Sequence, residues 1–150
     1  MPDQMPLAEY VERVTGLLPR VARAMYGRWA YALVRHNITL QQYLVLEVVH
    51  ERVSMRIKDI AAELTVSLPA ASNLIDRLHG MGLVERRRDE RDRRVVWITL
   101  TQRAACIAVE IRQCRKDAIR QVLVQLTPQD REAHLNIMTK ILAILYPDTK

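Results

Sequence analysis

Apolar residues recur at helical spacing at both ends of the chain. Residues 7 to about 36 carry this pattern, but Gly16 and Pro19 interrupt it, which predicts a short leading helix and a break or kink before the main one. Thr39 follows, and Gln42 stands three residues further on, which is the spacing of a capping box. The largely apolar run after Thr39 therefore predicts a second helix that is buried on several sides.

The C-terminal part of the chain predicts two more helices. Thr101 stands where it could cap a long helix that runs to about Leu126. The run Thr127-Pro128-Gln129-Asp130 then combines a cap residue, a proline at the first helical position and an acid in the first turn. A last helix is expected from there to about Tyr146-Pro147.

The middle of the chain has the clearest periodicity. The apolar side chains of a short amphipathic helix fall at i, i+3, i+4 and i+7, and they are Ile57, Ile60, Ala61 and Leu64. Ser67 is suited to an N-cap and Pro69 fits a first turn, so another helix is expected to about Met81, with its stop at Gly82. Only a tight turn of a few residues separates these two helices.

The second of these helices has two chemically different faces. At 100° per residue, the apolar side collects Ala71, Leu74, Ile75 and Leu78. The opposite side collects Pro69, Asn73, Asp76 and Arg77, flanked by Ser72. The first face is suited to packing on neighbouring elements, and the second presents hydrogen-bonding groups outward.

A hairpin with a basic tip follows this helix. Residues 84–88 and 94–100 have strand character, and side chains alternate between the two faces of the second strand. The charged turn DERDR joins the strands. Arginines at 86, 87, 88, 91, 93 and 94 stand against acids at 89, 90 and 92, which gives +3 within nine residues.

Composition and charge narrow the class of partner. The chain has 150 residues, the length of one domain or of one domain with added helices. With 49% hydrophobic and 27% charged residues, it is expected to fold around a core, which excludes wholesale disorder and a disulfide-stabilised miniprotein. The net charge is +6, and most of the 23 basic residues are arginines, whose planar guanidinium matches phosphate oxygens and guanine edges. Nucleic acid is therefore the leading class of partner.

Other classes of function lack a supporting motif. The start of the chain is acidic and without a long apolar run, and nowhere are about 18 uncharged apolar residues consecutive, so we expect a cytoplasmic protein with no membrane partner. The sequence has no nucleophile elbow and no glycine-rich phosphate loop, so we expect neither an enzyme nor a cofactor. The four histidines lack metal-ligand spacing, so no metal site is expected.

The two cysteines, Cys106 and Cys114, lie eight residues apart in one helical stretch. A rise of about 12 Å separates them, which is too long for a disulfide within a straight helix. Buried thiols that act as small hydrophobic side chains are the simplest interpretation. A thiol-based redox sensor that uses Cys106 or Cys114 is the alternative.

The order helix, tight turn, helix and arginine-tipped hairpin is that of a winged helix-turn-helix. The run from Ile57 to Thr101 resembles the DNA-binding core of the MarR family of bacterial transcription regulators. The motifs that carry the resemblance are L-I-D-R-L near the end of the recognition helix, G-L-V-E-R at the entry to the hairpin and D-R-R before the second strand.

This resemblance implies a mainly α fold with a small two- or three-stranded β-wing. Residues 39–100 would form the winged helix-turn-helix lobe, and residues 7–36 and 101–146 would form N- and C-terminal dimerisation helices, all within one unit spanning 1–150. Helices from both ends would intertwine with those of a second copy and hold two lobes over successive major grooves of double-stranded DNA.

The resemblance also assigns residues to the DNA. Ser72, Asn73 and Arg77 would lie nearest the bases and phosphates, and Asp92 of the D-R-R motif would pair with Arg77, because family members commonly form the matching pair. The start of the recognition helix, Pro69-Ala70-Ala71, departs from the Ser/Thr-rich family pattern and leaves direct base readout to few side chains. The expected DNA-binding residues are Ser67, Pro69, Ser72, Asn73, Arg77, Arg86, Arg87, Arg88, Arg91, Arg93 and Arg94.

A set of aromatic residues in the first two predicted helices has two interpretations. Tyr26 and Trp29 have the simple helical spacing of core residues. MarR-like proteins, however, often bind a small aromatic or phenolic effector between the dimerisation helices and the DNA-binding lobe, and stacked rings beside a cation could suit an aromatic acid. The residues of this hypothetical pocket are Tyr26, Trp29, Tyr43, His50 and Arg52.

Together these patterns predict a sequence-specific DNA-binding transcription regulator. We expect a ligand-responsive repressor that acts as a homodimer on a pseudo-palindromic operator. The alternatives are the thiol-based sensor and a non-specific architectural DNA binder.

Overall fold

The computed structural model describes residues 5–92 and 94–147. Within them the order of elements is α1 (Leu7–Arg35), α2 (Leu40–Arg52), β1 (Ser54–Arg56), α3 (Ile57–Glu63), α4 (Leu68–Gly80), β2 (Val84–Arg88), β3 (Val96–Leu100), α5 (Gln102–Leu123) and α6 (Pro128–Leu145). The chain divides into two compact units, one ending at Arg115 and the other beginning at Lys116.

Helix α1 is continuous over its 29 residues, so the break predicted at Pro19 is wrong. Proline inside a helix removes one N–H donor and crowds the carbonyl four residues earlier, but the backbone stays helical on both sides of Pro19. Burial along α1 is confined to its last two turns, where Trp29, Ala32 and Leu33 enter the core of the first unit.

Local capping signals place the helix starts where the sequence predicts them. The Thr39 hydroxyl accepts the N–H of Gln42 at 3.2 Å, and the Gln42 amide oxygen accepts the N–H of Thr39 at 2.9 Å, which completes the capping box of α2. Ser67 accepts the N–H of Ala70 at the start of α4, and Thr127 accepts the N–H of Asp130 at the start of α6. These caps are confirmed.

The core of the first unit centres on α2. Tyr43, Leu46, Ile75, Leu78 and Ile98 are all fully buried, and they come from α2, α4 and β3. Removing an aliphatic or aromatic side chain of this size from water contributes roughly 1.5–3 kcal/mol. This burial holds the apolar face of α4 against the body of the lobe and leaves its polar face outward.

The wing, residues 84–100, is part of a three-stranded antiparallel sheet with the strand order β1-β3-β2. Ser54 pairs with Thr99 and Arg56 with Trp97, so β1 completes the sheet on the side of β3 away from β2. The mainly α fold with a small β-wing is confirmed, and of the two strand numbers expected, three is correct.

Three helix ends close with the same local turn. After α1, α3 and α4 a residue with positive φ follows the cap residue, and these are Asn37 at 53°, Thr65 at 54° and Gly82 at 67°. At α4, the N–H of Gly82 donates to the carbonyl of His79 and that of Leu83 to Leu78, the paired bonds of a Schellman motif. Thr65 closes the turn between α3 and α4 in the same way.

Residues 116–147 form the end of α5 and the whole of α6. Helix α6 contains no buried residue in the described structure. Its exposed apolar side chains include Leu135, Met138, Ile141, Leu142 and Leu145. Such a continuous apolar face on a water-exposed helix is typical of a protein–protein contact. No helix among the described residues combines the length and the apolar character that crossing a bilayer requires.

We predict that Thr65→Gly stabilises the lobe by about 1 kcal/mol, because a β-branched side chain is strained at positive φ and glycine is not. The melting temperature should rise by about 2–4 °C in calorimetry. Thr99→Gly is the matched control: Thr99 lies in β3 at ordinary φ, so its replacement should lower the melting temperature. A fall for both variants would contradict the assigned strain at Thr65.

Candidate nucleic-acid interface

The outer face of α4 carries the polar side chains that the sequence assigns to it. Ala71, Ile75 and Leu78 are buried, while Pro69, Asn73, Asp76 and Arg77 are exposed and Ser72 is half-buried. Ser67 occupies the N-cap, so its hydroxyl is used by the helix itself. The helix therefore presents a continuous ridge of accessible groups on the side opposite the core.

An ion pair between Asp76 and Arg86 joins α4 to the wing. The predicted pair between Asp92 and Arg77 is not formed among the described residues. The carboxylate of Asp92 instead accepts the backbone N–H of Arg94 at 3.0 Å, within the turn of the wing. This correction has a geometric cause: Arg86 lies opposite the buried Ile98 in the sheet, on the face toward α4, whereas Asp92 lies in the turn and bonds locally.

Asp89 organises the turn of the wing, a role the sequence did not reveal. One carboxylate oxygen accepts the backbone N–H of Arg91 at 2.8 Å and of Asp92 at 3.1 Å. The other accepts the indole N–H of Trp97 at 3.0 Å. The Trp97 hydrogen bond and then the two backbone bonds lower the pKa of Asp89. An aspartate at the first position of a charged turn is the available signal for this role.

The sheet separates the wing arginines that the sequence groups together. Arg86 turns toward α4, while Arg87 and Arg88 line a different cleft of about 360 Å³ together with Ser54 and Trp97. Arg91 and Arg94 lie exposed in the turn. Arg93 lies outside the described residues.

A groove between α4 and the wing brings together residues from four parts of the chain. It has a volume of about 430 Å³ and we call it the wing groove. Its lining residues are Arg56, Ile57, Lys58, Leu68, Ser72, Arg94, Val95 and Val96. The lining is therefore partly apolar, and it includes one hydroxyl group and three cationic side chains.

The three cations of the wing groove differ in how their charge is balanced. Arg56 donates to Asp59 at 2.7 Å, and this hydrogen bond is the main reason that the pKa of Asp59 is lowered. Lys58 makes no ion pair with another described residue, and Arg94, with its side chain 96% exposed, approaches Asp92 only to 3.9 Å. Lys58 and Arg94 are thus available to an anionic ligand. Lys58 could not be found from the sequence, because a lone lysine on an outward helix face has no distinguishing pattern.

The aromatic residues of the hypothetical effector pocket are in contact with one another. Tyr26 and Trp29 pack edge to face with centroids 5.3 Å apart, and Trp29 lies 5.9 Å from Tyr43. Arg52, however, pairs with Glu63 and lies about 14 Å further along α2 than Tyr43, with His50 about 11 Å along. The structure thus groups the three aromatic rings and places His50 and Arg52 further along α2, and the five-residue effector pocket stays a prediction.

The cation over the Tyr43 ring is Arg115, at 5.6 Å from the ring centre. Arg115 also pairs with Glu47, whose side chain is only 12% exposed and accepts the Tyr43 hydroxyl at 2.9 Å. Burial, followed by the hydrogen bond to Glu47, raises the pKa of Tyr43 to about 12. The rings and this ion pair join α1, α2 and α5.

The cysteines are in different surroundings. Cys106 is exposed, and Cys114 is half-buried with the Tyr31 hydroxyl 3.3 Å from its sulfur. Both lie on α5, which is regular between them. The straight helix prevents a disulfide between them within one chain.

Comparison with known proteins identifies the family. A model of the MarR family matches residues 38–96. The HTH-type transcriptional regulator YwhA of Bacillus subtilis is 30% identical over 110 residues, which are 73% of this chain and 79% of that protein. The chain belongs to the MarR family.

The chain is also similar to a further curated repressor and to a solved structure. The homoprotocatechuate degradative operon repressor of Escherichia coli is 26% identical over 110 residues, 73% of this chain and 74% of that repressor. The solved structure of mutant MarR from E. coli complexed with operator DNA has a TM-score of 0.75 and 24% identity, and the match covers 92% of this chain and 99% of that one. This likeness confirms the winged-helix fold.

The part of the chain that matches the MarR family model runs from just before α2 to the first residue of β3. It contains all of α4, the Asp76–Arg86 pair and the lining of the wing groove. The family assignment and the candidate interface therefore coincide in one segment.

We predict that Asp76→Asn loosens the wing, because it removes the carboxylate that Arg86 contacts. An exposed ion pair contributes about 0–1 kcal/mol, so native-state cleavage by trypsin within the arginine-rich wing should rise up to about fivefold. Glu85→Gln is the matched control, since Glu85 lies on the same strand and its carboxylate forms no ion pair with another described residue. Faster cleavage in Asp92→Asn than in Asp76→Asn would indicate that Asp92 holds the wing instead.

Proposed function

We propose that this MarR family protein is a transcription regulator that binds double-stranded DNA sequence-specifically as a homodimer. One observation carries the proposal: the accessible ridge of α4 lies beside a groove whose lining includes Lys58 and Arg94, both available to phosphate. A helix is the right width for the major groove, where base edges carry a distinct code of donors and acceptors.

The wing groove fits the position of the DNA backbone. If α4 occupies the major groove and the wing reaches the neighbouring minor groove, the strand between the two grooves has to pass between α4 and the wing. Lys58, Arg94 and the Ser72 hydroxyl then meet its phosphates, and the apolar part of the lining meets its sugars. This arrangement uses residues from α3, α4 and the wing in one contact.

Exposed apolar surface supports the homodimer. Helix α6 exposes its entire apolar face, and the first half of α1 exposes Leu7, Tyr10, Val11, Leu17, Leu18 and Val21. Faces of this kind are covered in stable oligomers, and a two-fold pair of lobes matches a pseudo-palindromic operator.

We extend the proposal to repression that a small aromatic or phenolic effector relieves. The E. coli relative is a repressor of the homoprotocatechuate degradative operon. In the present chain, the Tyr26–Trp29–Tyr43 cluster touches α1, α2 and, through Arg115, α5. An effector that binds beside these rings would shift the equilibrium toward a conformation of α2 and α4 that releases DNA. The size of that shift is limited by how much more tightly the effector binds the releasing conformation.

The decisive test is to incubate the purified protein with sheared genomic DNA from its source and to sequence the fragments retained at about 0.15 M salt. We expect a few upstream regions, each with an inverted repeat whose half-sites lie about one helical turn apart. Light scattering should give twice the chain mass of 17.4 kDa. Uniform recovery across the genome would show a non-specific architectural binder instead.

We predict that Lys58→Ala, Arg77→Ala and Arg94→Ala each weaken binding to a recovered site. If a side chain contacts phosphate, its loss should lower the slope of log affinity against log salt by about 0.9. We expect this for Lys58 and Arg94, and fluorescence anisotropy at several salt concentrations measures it. Lys116→Ala, on the exposed side of α5, is the control and should leave the slope unchanged. An unchanged slope for Lys58→Ala and Arg94→Ala would exclude the backbone from the wing groove.

A further inference from the structure

The ridge of α4 that faces away from the core consists of Pro69, Asn73 and Arg77. These residues follow one another at four-residue spacing, so each lies about 6 Å further along the helix and only about 40° around it. All three are exposed. A base pair in the major groove would meet this ridge first.

Most polar side chains of α4 are engaged in other contacts, which makes them poor candidates for reading bases. Asp76 is held by Arg86, and the ring Nδ1 of His79 lies 3.0 Å from the carbonyl oxygen of Val84. Ser72 lines the wing groove, to one side of the ridge. Asn73 and Arg77 are left, and neither side chain makes a hydrogen bond or ion pair with another described residue.

The two remaining side chains differ in reach and in chemistry. Arg77 stands in the last turn of α4, and its long cationic side chain suits a phosphate or a guanine edge. Asn73 is short, uncharged and near the middle of the helix, where it offers one donor and one acceptor in a plane. That pair matches the N7 acceptor and N6 donor of adenine, and bidentate contact with Asn is a recurrent mode of adenine recognition.

We propose that Asn73 reads an adenine in each half-site through its carboxamide, with the amide N–H donating to N7 and the amide oxygen accepting from N6. The inference rests on the proposed function, and it specifies one base pair of the operator. The only acidic side chain of α4 is neutralised by Arg86, so the major-groove edge meets no unbalanced negative charge beside Asn73.

The test uses the full-length protein and a duplex that contains a site recovered from the genomic selection. Each position of both half-sites is replaced in turn by the other three base pairs, and affinities are measured by fluorescence anisotropy for the wild type and for Asn73→Ala. We expect the wild type to prefer adenine about 5- to 150-fold at one symmetric position. Asn73→Ala should lose that preference and keep the preferences at all other positions.

Duplexes with 7-deazaadenine at that position test the contact at the level of one atom. The wild type should lose affinity when N7 is removed, whereas Asn73→Ala should bind both duplexes equally. Alanine has a higher helix propensity than asparagine, so a loss of preference cannot be attributed to a weakened helix. Ser72→Ala is the control variant and should retain the response to 7-deazaadenine.

The outcomes separate this inference from the proposed function. A wild type that binds the recovered site no better than random DNA overturns both. A wild type that binds specifically, but whose adenine preference survives in Asn73→Ala, overturns only the role of Asn73. An equal loss of affinity at every position would show that Asn73 contacts the backbone, which also overturns the inference.

Discussion

The rotation of α4 about its own axis is the constraint on which the candidate interface depends. Burial of Ala71, Ile75 and Leu78 permits only one rotation, because turning the helix by one residue would move an apolar side chain into water and a polar one into the core. The outward groups follow from this choice. Asn73 and Arg77 are available because the opposite face of the same helix packs against α2 and the sheet.

Acidic side chains give the basic wing its shape. Asp76 positions Arg86, Asp89 organises the turn and holds the Trp97 indole, and Asp92 bonds to the backbone of Arg94. Each uses a carboxylate to fix a piece of backbone or an arginine, and Arg94, with its side chain 96% exposed, lines the wing groove. The net charge of a segment is therefore a poor measure of its attraction to DNA, because some of its cationic side chains are paired within the protein.

Sequence patterns predicted the features that are set locally. The capping box of Thr39, the Ser67 cap and the start of α6 each depend on residues within one helical turn, and their positions were predicted correctly. Contacts between distant segments were not predictable in this way. Strand β1 has only three residues and exists because it pairs with β3. Nothing local shows that α4 and the wing are joined by Asp76 and Arg86 and not by Arg77 and Asp92. The outcome at Pro19 also depends on more than the local sequence, because the regular helix on both sides outweighs the lost donor and the crowding that the proline causes.

The three Schellman closures at Asn37, Thr65 and Gly82 give the connections of the lobe a fixed length and direction. The turns that follow α1, α3 and α4 therefore have little freedom to stretch. If the lobe binds DNA as proposed, these turns keep α4 and the wing in one arrangement. Adjustment to an imperfect half-site then falls on bending or twisting of the DNA, so bases that the protein never touches contribute to selection through their stiffness.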